Sequence, residues 1–212
     1  MSAFFQFLTR LDYSIFHALN SIAGRSSVLD WFIRVGADDH IIPVVLTLLV
    51  LLVILLARDS REREAAARCL VCAVAAVVIS MIILFALNSL FFRPRPFTTH
   101  SVDLLLYHNT DSAFPSNAAT LAFALSFAVL FYHRKVGLAM LALGTFLGLA
   151  RVAAGVHYPM DILGGILLGL ASACFARLLE PLYRPAARWF LSLQYRLLTA
   201  WEQPAFKEGV KR

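Results

Sequence analysis

The chain has 212 residues, 60% of them hydrophobic and only 15% charged, with a mean hydropathy of +0.74. An ordinary soluble domain carries about 25% charged residues, so this composition excludes that class and indicates an integral membrane protein of one domain. The formal charge of +6 then marks cytoplasmic loops rather than a nucleic-acid surface.

Phe4, Leu8, Leu11, Ile15 and Leu19 recur at helical spacing, with Gln6, Arg10, His17 and Asn20 elsewhere. They describe an amphipathic helix that lies either in the membrane interface or against the spans. Residues 1–20 lack the charged start and continuous apolar core of a cleavable signal peptide. Residues 24–27 break the helix, residues 30–35 form a second amphipathic piece, and residues 36–40 form a polar turn. Membrane spans are expected over 41–57, 69–92, 115–132, 136–154 and 159–179, each near the roughly 20 residues needed to cross. A charged loop at 58–68, a polar loop at 93–113 and a basic turn at 133–135 separate them. In the tail, Arg184, Arg188 and Arg196 share one helical face and Phe190, Leu193, Leu197 and Trp201 another, as in a helix lying on the membrane surface. Cys69, Cys72 and Cys174 read as apolar packing residues, because no further ligands accompany them. The expected fold is therefore all-α, an integral membrane helical bundle with about five to six transmembrane helices. Residues 1–40 would be interfacial helices, 41–180 the transmembrane core and 181–212 a basic tail.

Residues 58–68, 133–135 and 177–212 hold 4, 2 and 7 of the 19 Lys and Arg residues. The positive-inside rule places these segments in the cytoplasm. The polar stretches around 93–96, 111–117 and 151–161 then share the opposite side.

These polar stretches carry the chemistry. Arg93-Pro94-Arg95-Pro96 follows Asn88 and offers rigid guanidinium forks that match phosphate oxygens, on a segment held extended by proline. Taken alone, arginines snorkelling to headgroups are the better account of it. Asp111-Ser112-Ala113-Phe114-Pro115-Ser116-Asn117 opens a span, and free N–H groups at a helix start bind anions. Ordinary capping is the plainer account of it. Arg151-Val152-Ala153-Ala154-Gly155-Val156-His157-Tyr158-Pro159-Met160-Asp161 puts a guanidinium, an imidazole and a carboxylate between two apolar runs. Ionisable groups there are costly and mark function. Asp161, in the first turn of the last span, is expected to accept the N–H of one His157 nitrogen and leave the other free and nucleophilic. A capping Asp beside a structural His is the alternative, and the nearby Arg151 favours function.

These spacings resemble the type 2 phosphatidic acid phosphatase superfamily of membrane phosphatases, with its haloperoxidase-like core. That family's pattern is Lys-x6-Arg-Pro, then Pro-Ser-Gly-His, then Ser-Arg-x5-His-x3-Asp. Here the third motif runs from Arg151 through His157 to Asp161, with Ala150 in place of Ser. Arg95-Pro96 matches the first motif, with Asn88 where Lys is usual. Pro115-Ser116 matches the second, with Asn117 for Gly and Ala118 for His. The resemblance implies that His157 is a nucleophile that becomes phosphorylated, oriented by Asp161. Asn88, Arg95, Ser116, Asn117 and Arg151, with Arg93 as a further candidate, would hold the phosphoryl oxygens. No metal or other cofactor is implied, since no carboxylate or His cluster has ligand spacing. Ala118 occupies the position of the acid–base His. Either that His was replaced deliberately, which suits an otherwise intact site, or a natural enzyme uses His100, His108 or an easy leaving group.

The run from Arg93 to Phe97, with His100, His108 and Asp111-Ser112, looks like the bacitracin-resistance branch of the family. That resemblance implies hydrolysis of undecaprenyl pyrophosphate at the outer face of the bacterial plasma membrane, with the lipid tail in the bilayer. Phosphatases of phosphatidylglycerol phosphate, phosphatidic acid or lipid A are the enzymatic alternatives. A non-catalytic lipid-phosphate binder or transporter is the alternative of another class.

Overall fold

The computed structural model describes residues 3–106 and 111–202. Among them every regular element is a helix, as the all-α expectation requires. In chain order these are α1 (Ala3–Asn20), α2 (Ser27–Ala37), α3 (Ile41–Leu55), α4 (Ser60–Leu90), the short α5 (Pro96–Thr99), α6 (Asn117–Leu130), α7 (Arg134–Ala153), α8 (Pro159–Leu178) and α9 (Glu180–Glu202).

The bundle is built around α6. Its side chains are small on most faces, so α3, α4, α7 and α8 all close on it. The tightest approach is that of α8. A Cβ on Gly169 would stand 2.7 Å from the Ala124 nitrogen, and one on Gly165 would stand 2.9 Å from the Ala119 Cβ and 3.2 Å from the Ser116 oxygen. Glycines four apart let helices meet backbone to backbone, which drives association where lipid is as apolar as the side chains. The Thr120 and Ser126 hydroxyls turn back onto the Ser116 and Ala122 carbonyls at 2.9 and 2.7 Å, so both buried donors are satisfied.

Among the described residues, α4, α7 and α8 are by length and composition able to cross a membrane, and the pair α2 and α3, bent by 56° at its break, raises the number from 3 to 4 if it is one broken span, against the five to six expected. The expected third span shortens to α6, whose 14 residues reach about 21 Å against a hydrocarbon core of about 30 Å. Because α6 is wrapped by other helices, it packs against protein and need not match the lipid thickness. Conversely, the charged stretch expected to be a loop is the start of α4, 31 residues long. Asp59 caps it by accepting the Glu62 N–H at 2.8 Å, and the Arg, Glu and Ala that follow are good helix formers. Cys69 and Cys72 lie within the core, as their packing role requires, whereas Cys174 is exposed on α8.

α1 is turned from the face that its apolar spacing suggested. Asp12, Phe16 and Asn20 are buried, whereas Phe4, Leu11 and Ile15 are exposed. The helix therefore packs on α7 and α8 through a partly polar stripe and leaves an apolar stripe outward. At the far end of the bundle, Glu180 is 2% exposed and gathers Arg68, Arg177, Arg184 and the Tyr132 hydroxyl. This ties the basic segments together at one end, where α9 lies against α4. The side chains of Phe190, Arg196, Leu197 and Trp201 lie outside the described residues, as do 107–110 with His108 and 203–212.

The α6–α8 approach sets a sharp expectation. Gly169→Ala drives a methyl into the α6 backbone and should cost about 1–3 kcal/mol. At Gly144 a Cβ meets only Phe123 and Ala122 side chains at 3.5 Å or more, so Gly144→Ala should be neutral or stabilising. Thermal unfolding in detergent compares the two variants, and equal losses would contradict this packing.

Candidate functional site

The site forms where α7 turns into α8. Gly155 sits at φ +83°, and a Cβ there would meet Asn20 Nδ2 and the Asp103 carbonyl at 3.3 Å, so the turn needs glycine. Asn20 Nδ2 donates to the Ala153 and Asp103 carbonyls at 2.9 Å, and the Leu105 N–H donates to the Ala154 carbonyl at 3.2 Å. α1 and the loop before α6 thus clamp the corner. Pro159 then starts α8, and Asp161 Oδ2 accepts the Tyr158 N–H at 2.8 Å to close its first turn.

His157 is 1% exposed. Its Nδ1 lies 3.0 Å from the Ala113 carbonyl oxygen, which can only accept, so the proton belongs on Nδ1. Nε2 keeps its lone pair and accepts from Arg151 Nη2 at 3.1 Å. Burial, and then the charges of Arg151 and Arg95, push the ring well below its ordinary value of 6.5, so it is neutral at pH 7. The expected direct His157–Asp161 hydrogen bond is not what the structure shows. Asp161 Oδ2 is 3.6 Å from Nδ1, because its oxygens serve the Tyr158 N–H and Arg93. The orienting group on Nδ1 is a backbone carbonyl, and Nε2 keeps a lone pair that Arg151 engages.

Arg151 and Arg95 are each 4% exposed. Arg151 Nη1 donates to the Ala37 carbonyl at 2.9 Å and to Asp39, which lies in the break between α2 and α3. Arg95 donates from Nη2 to Asp111 Oδ1 at 2.7 Å and from Nη1 to the Val156 carbonyl at 3.3 Å. The N–H of Ser116 donates to the Asp161 carbonyl at 3.1 Å. The Ser116 Oγ and Arg151 Nε, both buried, have no hydrogen-bond partner among the described residues. Asn88 Nδ2 donates to Asn117 Oδ1, and Asn117 Nδ2 donates to Asp111 Oδ2, both at 3.4 Å. Ala118 is buried one residue further along α6.

Arg93 is placed differently from Arg95 and Arg151. Its Nη1 donates to Asp161 and its Nη2 to Asp12, both at 2.5 Å, and its guanidinium lies 4.3 Å from the Tyr158 ring centre. With each terminal nitrogen donating to a buried carboxylate, Arg93 is held against Asp161 and Asp12. His100 stacks on Tyr13 at 4.5 Å and sits edge-on to Tyr158 at 6.3 Å. Asp12, Asp39 and the Ala113 carbonyl were not among the expected site groups. Asp12 could have been found from the cost of burying a carboxylate unpaired, but a backbone carbonyl leaves no trace in a side-chain pattern.

A neutral imidazole whose Nε2 lone pair meets only an Arg151 N–H, beside guanidinium forks and a buried hydroxyl without a partner among the described residues, can serve as a nucleophile facing an oxyanion cradle. Among the described residues no three His, Cys, Asp or Glu side chains are grouped as metal ligands.

Residues 67–183 match the model of the PAP2 superfamily. The chain is 35% identical to undecaprenyl-diphosphatase BcrC of Bacillus subtilis (strain 168) over 175 residues, 81% of this chain and 87% of the relative. Its fold is similar to the crystal structure of Aquifex aeolicus LpxE, with TM-score 0.60 and 22% identity over 78% of this chain and 94% of that one. It is also similar to the first transmembrane PAP2-type phosphatidylglycerolphosphate phosphatase of Bacillus subtilis, with TM-score 0.58 and 17% identity over 82% and 86% of the two chains.

Asp39 competes with any oxyanion for Arg151. Asp39→Asn should therefore lower the orthovanadate concentration that half-protects the protein from thermal unfolding by about 2-fold to 5-fold, the worth of a partly exposed ion pair. An unchanged midpoint would mean that the oxyanion does not reach Arg151.

Proposed function

Because the chain belongs to the PAP2 superfamily, we propose that it hydrolyses undecaprenyl pyrophosphate to undecaprenyl phosphate and inorganic phosphate through a phosphohistidine at His157. The observation that carries this reading is the His157 ring, held neutral with Nδ1–H on Ala113 and Nε2 beside Arg151. The identity to an undecaprenyl-diphosphatase supports the substrate.

In the first step Nε2 attacks the terminal phosphorus. An N–P bond forms, and the bond from that phosphorus to the bridging oxygen breaks. The ring becomes cationic, keeping its Nδ1 proton on the Ala113 carbonyl. Arg95, Arg151 and the Ser116 hydroxyl hold the equatorial oxygens, where charge builds during transfer. Asn88 and Asn117 extend this cradle by hydrogen bonds but add no charge. The leaving group is a phosphate monoester, whose second ionisation lies near pH ~6, so it departs without a proton from the protein. In the second step water attacks the phosphorus and the N–P bond breaks, which regenerates the neutral ring and releases phosphate. Both protons of that water leave on the released phosphate as H2PO4−, and Ala118 supplies no base to speed the step. A pyrophosphate thus suits this site better than a monoester, whose alkoxide would require an acid.

The site end carries the substrate head, and the tail lies among the lipid-facing helices. The opposite end carries Arg68, Arg177 and Arg184 around Glu180, with Arg134 and Lys135 at the start of α7. The positive-inside rule supports a cytoplasmic placement of that end, and with it the proposed outward-facing site in a bacterial plasma membrane.

Phosphate release from undecaprenyl pyrophosphate, beside a phosphatidylglycerol phosphate control, tests the reading. His157→Ala should abolish release, and Ala118→His should raise it about 10²-fold to 10⁴-fold, the usual worth of a general acid–base group. Normal turnover by the His157→Ala chain, or faster release from the control lipid, would overturn it.

A further inference from the structure

Asp12 is the one acidic residue of α1, and it is 3% exposed. Burial of a carboxylate is tolerated only when its oxygens are met. Oδ1 accepts the Met160 N–H at 2.9 Å, and Oδ2 accepts Arg93 Nη2 at 2.5 Å. Met160 is in the first turn of α8, so its N–H has no partner within that helix. The other terminal nitrogen of Arg93 reaches Asp161 Oδ1. A closed circuit results, running from α1 through Arg93 to Asp161 and back to α1 through the start of α8. Asp161 is the carboxylate 3.6 Å from His157 Nδ1.

Docking of α1 does not require this circuit. Asn20 ties the helix to Ala153 and Asp103, and Phe16, 2% exposed, packs its ring 5.3 Å from that of Tyr158. Both terminal nitrogens of Arg93 are held by the two carboxylates, and Asp161, so oriented, lies 3.6 Å from the Nδ1 of a ring that gains positive charge when Nε2 takes a phosphoryl group.

We infer that Asp12 is a positioning residue for the reaction at His157: it fixes Arg93, and through Arg93 Asp161, so that the Asp161 carboxyl group is held facing the imidazole as it becomes cationic. This rests on His157 being the nucleophile. The arginines that meet the phosphate, Arg95 and Arg151, stand outside the circuit, so Asp12 acts on the rate of transfer and not on substrate affinity.

The test follows formation of alkali-stable phosphohistidine in rapid-quench experiments, with undecaprenyl pyrophosphate labelled in its terminal phosphate. Asp12→Asn preserves shape and can still accept the Met160 N–H, but it removes the charge. Its rate of labelling should fall about 10-fold to 100-fold, the range set by small misplacements of reacting groups. The final label per chain and the substrate concentration giving half the maximal rate should stay within about 2-fold. Asp12→Glu, which restores the charge, should recover part of the rate. A merely structural role would lower the label per chain while leaving the rate per labelled site unchanged, and that result overturns the inference. Labelling of Asp12→Asn at the parent rate overturns it as well, with His157 chemistry intact. Failure of the parent chain to label would overturn the reading of His157 itself, and this inference with it.

Discussion

Arg95, Arg151, His157 and Asp161 are each no more than 4% exposed at one end of an apolar bundle. Isolated charges in such a place are strongly unfavourable, so each must be met by a partner of fixed geometry. Most of what surrounds the bundle core meets that requirement. The break between α2 and α3 delivers the Ala37 carbonyl and Asp39 to Arg151. The loop before α6 delivers Asp111 to Arg95 and the Ala113 carbonyl to His157. α1 delivers Asp12 to Arg93, and Arg93 delivers its other nitrogen to Asp161. Irregular backbone at membrane depth is tolerated where it is buried in protein or lines a cavity. Here it is also the source of the acceptors.

The packing of the bundle reaches the site through one contact. α8 comes close to α6 at Gly165 and Gly169, and at the end of that seam the Ser116 N–H meets the Asp161 carbonyl. The residues of the second and third motifs are thereby held by helix–helix packing, not by loops alone. Preorganisation of this kind lets a cradle of donors act without rearrangement when charge develops. Two of the buried polar groups without a partner among the described residues, the Ser116 Oγ and the Arg151 Nε, lie in this group of donors.

Much of this was legible in the sequence because charge is rare in it. With only 15% charged residues, an Arg, a His and an Asp within eleven positions stood out, and topology put the other polar stretches on the same side. The structure brings Arg95, Ser116, Arg151, His157 and Asp161 to one end. Other features were not legible. α6 looked like a span because a fully buried helix and a lipid-facing helix are both apolar throughout. The charged start of α4 looked like a loop because polarity alone does not distinguish a solvated helix from a turn. Asp12 was hidden because α1 carries two stripes, and the more regular apolar one faces outward. Asp39 lay in a turn whose polarity needed no special account until Arg151 was seen beside it.

The most direct test is a structure of the chain determined with orthovanadate, which mimics the trigonal phosphoryl group in flight. The account requires vanadium bonded to His157 Nε2, with Arg95, Arg151 and the Ser116 hydroxyl on its oxygens, and with Asp39 and Asp111 drawn off their arginines. An oxyanion seated elsewhere, such as the 370 Å³ cavity lined by Arg10, Tyr13 and His100, with the His157–Arg151 contact unbroken, would contradict it.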